Sequence, residues 1–319
     1  MGQPFDNAIR LTILHASSLL FACTCAMTEV HAEDVVMRPA PDAAKGVESD
    51  FNGSVIDEAL RRTEKRYGAF RYAERVPIFA RERLLEEMLR GEEINVTVVA
   101  TQPLWEERLL TIRIPIDMGL SDYRVSLIRR DTQEKLSSVQ TLAELQGLRL
   151  GAGASWSSRK VFDADGFQVV TGDSYEALLK MLLAGRFDYF PRGLNEAFPE
   201  FDARHTDYPD LAIEKDMLIE FPLPTYIFVS PKSPRLAKRL EEGMESMVHD
   251  GTLLKLMFKF NGEMLARTDL CSRRVFHIAN PELSDKTPLA RKELWFDPFD
   301  AKTGGCTQQS RKHKSDAKV

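Results

Sequence analysis

Apolar positions along this chain follow two spacings in alternation. Short apolar runs at 34–38, 69–73 and 94–99 read as strands, and Pro39 ends the first. Between them lie stretches with helical spacing: Val55, Ile56 and Leu60 within 54–64, then Leu84, Leu85, Met88 and Leu89 within 79–90, closed by Gly91. The order is β-α-β-α-β, the rhythm of a parallel sheet with helices packed against it.

The rhythm then restarts. Strands are expected at 124–128, 148–152, 168–170, 187–190, 211–213 and 226–229. Helices are expected at 141–146, 158–163 and 174–184, the last presenting Leu178, Leu179, Leu182 and Leu183 on one face. Ser233 and Pro234 supply an N-cap and a first helical residue for a helix to 249; Gly251 breaks it, and 252–260 forms another. Beyond Asn261 the pattern fades, and 308–319 has the polar, basic composition of a disordered tail. Pro115, and later Pro222 and Pro224, frame two passages between the halves. The fold class is therefore α/β with two lobes, each a mostly parallel sheet flanked by helices, joined by two hinge crossings. Lobe 1 is expected to be discontinuous, 33–117 plus 225–262, with lobe 2 at 118–224. A C-terminal extension at 263–307 is expected to pack on lobe 1.

The first 32 residues change the picture of compartment. Arg10 precedes a mostly apolar run at 11–27, and Val30-His31-Ala32 places small residues at the positions a signal peptidase reads, so 1–32 is expected to be a signal peptide. A transmembrane anchor needs a longer and more apolar run; a lipid anchor on Cys23 is the alternative. Of the 43 basic and 48 acidic side chains, Arg10, Asp6 and Glu29 would leave with the signal, so 42 and 46 remain and the net charge is −4. That balance gives no electrostatic case for nucleic acid or an anionic membrane as partner. Cys271 and Cys306 are the cysteines left after cleavage. An even pair in an exported chain suggests one disulfide, stabilising by roughly 3–4 kcal/mol on chain-entropy grounds, with two free thiols as the alternative.

Four stretches resemble, in order and spacing, the type II periplasmic solute-binding proteins of the polar-amino-acid-binding class. TLAELQGLRLGAGASWSS (141–158) is similar to the element that opens that family's second lobe, and SYEALLKMLLAGRFDYF (174–190) to its next helix and strand. WEERLLTIRIPI (105–116) sits where the family carries its Thr/Arg motif, and SPRLAKRLEEGMESMVHDGTLLKLMFKF (233–260) resembles its closing helices. The resemblance spans roughly 34–262. It implies a periplasmic two-lobed clamp that closes on a small polar ligand, with no cofactor, working as a monomer with a membrane permease or a membrane sensor. Delivery and signalling without transport are both open.

The resemblance places a carboxylate-binding arginine at Arg108, whose guanidinium can grip a carboxylate through two parallel hydrogen bonds. The turn after 148–152 offers free backbone N–H groups at a helix start, hydroxyls on Ser155 and Ser157, and Trp156 for stacking. Arg192 stands near the point where relatives usually carry an acid for the ligand's ammonium. A cation there favours an anionic ligand, unless Glu196, one turn on, takes the ammonium. Arg83 and Tyr72 are further candidates to line the pocket. Tyr123 and Arg124 start the second lobe beside the hinge and read first as structural.

Nothing in the spacing points to catalysis. His205, His249, His277 and His313 are scattered without metal-ligand spacing. Gly153-Ala154-Ser155-Trp156-Ser157 lacks the second glycine of a nucleophile elbow, and no Gly-Lys-Ser/Thr follows that would make a phosphate loop. The expectation is a binding protein rather than an enzyme, with no metal.

Overall fold

The computed structural model describes residues 1–2, 33–40, 46–77 and 79–300. The chain divides into two compact units, Met1–His31 and Ala32–Val319, and the elements below belong to the second. The expected signal peptide and Cys23, the tail 308–319 and Cys306 fall outside the described residues. Cys271 is disulfide-bonded. No helix among the described residues is long and apolar enough to cross a membrane.

The chain begins with β1 (Asp34–Val36), α1 (Gly46–Arg62), α2 (Glu64–Tyr67), β2 (Phe70–Tyr72), α3 (Arg81–Arg90), β3 (Val96–Ala100), α4 (Pro103–Arg108) and β4 (Leu110–Ile112). After a crossing come β5 (Tyr123–Arg129), α5 (Gln133–Ser137), α6 (Leu142–Gln146), β6 (Arg149–Gly153), α7 (Ser157–Ala164) and β7 (Gln168–Gly172). Next are α8 (Tyr175–Leu183), β8 (Tyr189–Gly193), α9 (Leu194–Arg204), β9 (Leu211–Ile213) and β10 (Met217–Glu220). The chain closes with β11 (Thr225–Val229), α10 (Pro234–His249), α11 (Thr252–Thr268) and β12 (Arg274–His277).

β11 is the centre of a three-stranded sheet ordered β3-β11-β4, with Tyr226 opposite Val99 and Ile227 opposite both Val98 and Ile112. A strand that follows the second crossing therefore completes the sheet begun before the first. β1 and β2 pair in parallel beside it, Asp34 opposite Phe70. The returning helix α10 is fixed to this first lobe at close range. Gly243 faces the Ala59 carbonyl of α1 so tightly that a Cβ would come within 2.3 Å of the oxygen. Arg239, fully buried on α10, donates to the carbonyls of Leu60 and Gly68 and to Asp34 Oδ2, at 3.0, 2.8 and 2.8 Å.

The larger sheet runs β12-β10-β5-β8-β6-β7, with β9 also on β5. It is more mixed than the sequence rhythm implies. β6 is parallel to β7 and β8, but β5 enters from the hinge and runs antiparallel to β8, β9 and β10. One face buries Leu178, Leu182, Phe187 and Phe190, and the other buries Phe162, Tyr189 and Phe221. Each such side chain contributes roughly 1.5–3 kcal/mol by leaving water.

β8 covers Tyr189–Gly193, so Pro191 and Arg192 lie inside the strand rather than after it. Pro191 is tolerated because β8 meets β6 only at Tyr189 opposite Leu150, so the missing N–H costs no bond to β6 further on.

The extension also departs from its expected place on lobe 1 alone. β12 adds an edge strand to the larger sheet, Met217 opposite Arg274. Further along, Arg291 grips Glu245 of α10 through two hydrogen bonds of 2.6 and 2.8 Å. It thus touches both lobes.

Candidate ligand-binding cleft

Two crossings join the lobes, and they are laced to each other. Leu223 N donates to Asp122 Oδ1 at 2.8 Å, and Phe221 N to the Asp122 carbonyl at 3.2 Å. Ile116 N donates to the Thr225 carbonyl at 2.9 Å. Asp117 accepts from Ser121 Oγ at 2.6 Å and from Gly119 N at 3.1 Å. Burial raises the pKa of both carboxyls, that of Asp122 well above the ordinary range.

Beside these crossings lies a cavity of about 610 Å³. Its first wall is the end of β3 (Val98, Val99, Ala100) with Arg81 at the start of α3. Its second wall is built where strands of the larger sheet end and helices begin: Trp156 to Ser158 at the start of α7, and Arg192, Asn195 and Glu196 at the junction of β8 and α9. Open α/β sheets bind ligands outside the carboxyl ends of their strands, because helix starts present free N–H groups there. Trp156 lies flat over Gly153, where a Cβ would come within 2.4 Å of the indole.

Trp156, Ser157, Arg192 and Glu196 meet in this cavity, and Ser155 lines an adjoining one. Arg108, Arg83 and Tyr72 line neither. Arg108 is exposed at the end of α4, because the short helix turns Trp105 inward and Arg108 outward. Arg83 is also exposed; it lies over the Phe79 ring and 3.6 Å from Glu87. Tyr72 gives its hydroxyl to Asp57 and its ring face to Arg38.

Arg192 is not an open cation waiting for a ligand. Its Nε and Nη2 grip Glu200 at 2.8 and 2.6 Å, Glu196 lies 3.1 Å from Nη2, and the guanidinium stacks over Trp156 at 4.4 Å. Burial alone would lower its pKa, but the two carboxylates hold it above its ordinary value. Glu196 is committed too, since it also accepts from Gly193 N at 2.9 Å. Neither the cation nor the acid weighed from the sequence is presented alone.

The cation that is presented is Arg124. It is 5% exposed and lines the cavity, and its Nε finds no hydrogen-bond partner among the described residues. Its guanidinium stacks over Phe221 at 4.6 Å. Arg81, on the opposite wall, likewise has a buried Nε without a partner, while Nη2 donates to the Ala100 carbonyl. Burial pulls both guanidiniums down to about 10. Ser157 Oγ, Tyr175 OH and Asn195 Oδ1 complete a set of buried polar atoms that line this one cavity and have no partner among the described residues. Sequence reasoning passed over Arg124 because Arg at the head of an apolar strand reads as a hinge residue. Tyr175, Asn195 and Arg81 gave no signal beyond polarity near a helix start.

Among the described residues no group of three or more His, Cys, Asp or Glu is placed to hold a metal. No family model matches the chain, and no curated protein matches it. Among solved structures it is similar to an ancestral arginine-binding protein bound to arginine, with a TM-score of 0.50 and 16% identity, over 72% of this chain and 97% of that one. It is similar to an ancestral arginine-binding protein bound to glutamine at a TM-score of 0.50 and 15% identity, over 72% and 98%. An arginine 3rd transport system periplasmic binding protein from Legionella pneumophila gives a TM-score of 0.49 and 14% identity, over 72% and 100%. The chain has the mixed α/β, two-lobed fold of periplasmic binding proteins.

Proposed function

We propose that this chain is a periplasmic solute-binding protein that clamps a small polar ligand bearing a carboxylate or similar anion between its lobes, for uptake or for sensing. One observation carries the reading. Of the eleven buried side-chain polar atoms without a partner among the described residues, five line one cavity: Arg81 Nε, Arg124 Nε, Ser157 Oγ, Tyr175 OH and Asn195 Oδ1. A core that satisfies its polar groups elsewhere leaves them bare where something else must supply the partner. Water can do so in an open cleft, and a ligand does so on closure.

The set favours an anion. Arg124 and Arg81 are obligatory donors, Ser157 can donate, and the start of α7 adds backbone N–H groups. Glu196 and Glu200 are engaged with Arg192, so a ligand ammonium has less to gain here than a carboxylate has. The fold and the expected export signal support a periplasmic role. A permease or a membrane sensor would be the partner.

Thermal-shift screening against amino acids, carboxylates and small peptides tests this. Ligand bound to the native state alone must raise the apparent melting temperature. Carboxylate-bearing compounds are expected to do so and their amides are not. A library in which no carboxylate raises it would refute the proposal.

A further inference from the structure

The cleft has a second chamber. A space of about 400 Å³ adjoins the first, and the two share Glu48, Arg81, Val98, Val99 and Trp156. Val98, Val99 and the Trp156 indole make the apolar part of the waist, Arg81 and Glu48 border both chambers there, and the other polar groups lie on either side. On the far side, among the described residues, Arg38, Arg75 and Arg81 line the chamber against one carboxylate, Glu48.

Three guanidiniums lining one small space, Arg75 exposed and Arg38 and Arg81 half-buried, make its local potential positive and favour an anion there. Asp57, the next carboxylate nearby, accepts from the Tyr72 hydroxyl and offsets part of the charge on Arg38. Burial draws Arg38 below its ordinary value and Arg75 adds to that pull, while Tyr72 and Asp57 oppose it. The Arg38 guanidinium packs 4.3 Å over the Tyr72 ring, a contact it would lose by swinging away into water. On the near side, Arg124 and Ser157 hold out donors of their own.

We infer that the ligand is an elongated dianion. One anionic group meets Arg124 and Ser157 in the first chamber, its apolar middle passes Trp156 and Val98, and a second anionic group meets Arg81, Arg38 and Arg75 in the second chamber. Because Arg124 belongs to one lobe and the three other arginines to the opposite one, such a ligand ties the lobes through its two ends. This rests on the clamp reading above and adds the charge and shape of what is clamped.

The test is calorimetry on the mature chain with α,ω-dicarboxylates from succinate to suberate, each beside its own monoamide, which removes one charge at constant length. At the best length the dicarboxylate is expected to bind at least about tenfold more tightly than its monoamide, since breaking a buried charge pair costs more than that. Arg81→Gln, and separately Arg38→Gln with Arg75→Gln, should bring that ratio to within about twofold, while Arg81→Lys, which keeps the charge, retains most of it. Unliganded melting curves confirm that each variant folds. Monoamides that match their dicarboxylates at every length overturn the dianion inference and leave the clamp standing. So does a ratio that survives the arginine variants. If no member of the series binds, the dianion inference also falls, and the wider carboxylate and amino-acid screen decides the clamp reading by itself.

Discussion

Arg192 and Arg124 face the same cavity, and their surroundings give them opposite roles. Arg192 is bound twice, to Glu200 and Glu196, and stacked on Trp156, so it organises the wall of the cleft. Removing it leaves two half-buried carboxylates close together. Arg192→Ala is therefore expected to cost about 3–5 kcal/mol of unfolding free energy, read by urea denaturation. Glu200→Gln should cost less, because a hydrogen-bond acceptor remains. Equal stability of Arg192→Ala and the parent would show that the ion cluster contributes nothing. Arg108 stands at the other extreme: it is exposed and away from both chambers, and Arg108→Ala is expected to leave affinity within about twofold of the parent by calorimetry. The turn at Ser155 to Ser157 was legible as a helix start with hydroxyls and an indole, and Trp156 and Ser157 line the first chamber, but Arg124 beside the hinge read as structural. Which arginine stays unpaired was not legible, because that depends on Glu200 reaching back from α9 to Arg192.

At the scale of elements, periodic apolar faces gave good bounds. The helices expected at 79–90, 174–184 and 233–249 are observed as Arg81–Arg90, Tyr175–Leu183 and Pro234–His249. α9 was not legible. Its sequence, LNEAFPEFDAR, carries Pro199 in its interior and a broken apolar pattern, so propensity argued against a helix that tertiary packing imposes. Missing α9 meant missing Glu200. β12 escaped because a four-residue edge strand borrows its order from β10 rather than from its own pattern. Gly243 lets α10 approach the Ala59 backbone of α1 closely. Gly243→Ala is expected to push α10 off Ala59 and cost about 1–3 kcal/mol. A shift of the denaturation midpoint to lower urea checks this. An unchanged midpoint would mean that the two helices separate freely.

For the whole molecule the question is what the hinge permits. The extension ties both crossings: Phe296 N donates to the Met118 carbonyl at 2.7 Å, and Asn280 Nδ2 donates to the Pro222 carbonyl at 2.9 Å. Asp122 sits between the crossings, its pKa raised by burial, with Asp117 and Glu220 adding to the rise and Leu223 N and Arg124 opposing it. An acid whose folded pKa lies above its unfolded value stabilises the fold fully below the unfolded value, about 4, and loses that contribution as pH rises through the folded value. Asp122→Asn keeps an oxygen for Leu223 N without the charge. It is expected to melt higher than the parent at pH 7 and to converge with it near pH 3. A variant that melts lower at pH 7 would mean that the ionised carboxylate holds the hinge.

The central claim is that a ligand anion is held between the lobes by Arg124. Calorimetric titration of the parent and of Arg124→Gln with the strongest carboxylate from the screen addresses it most directly. Saturable binding by the parent is expected, with a loss of at least about thirtyfold in the variant and a cooperative unliganded melting curve that shows the variant to be folded. Undiminished affinity in Arg124→Gln would contradict it.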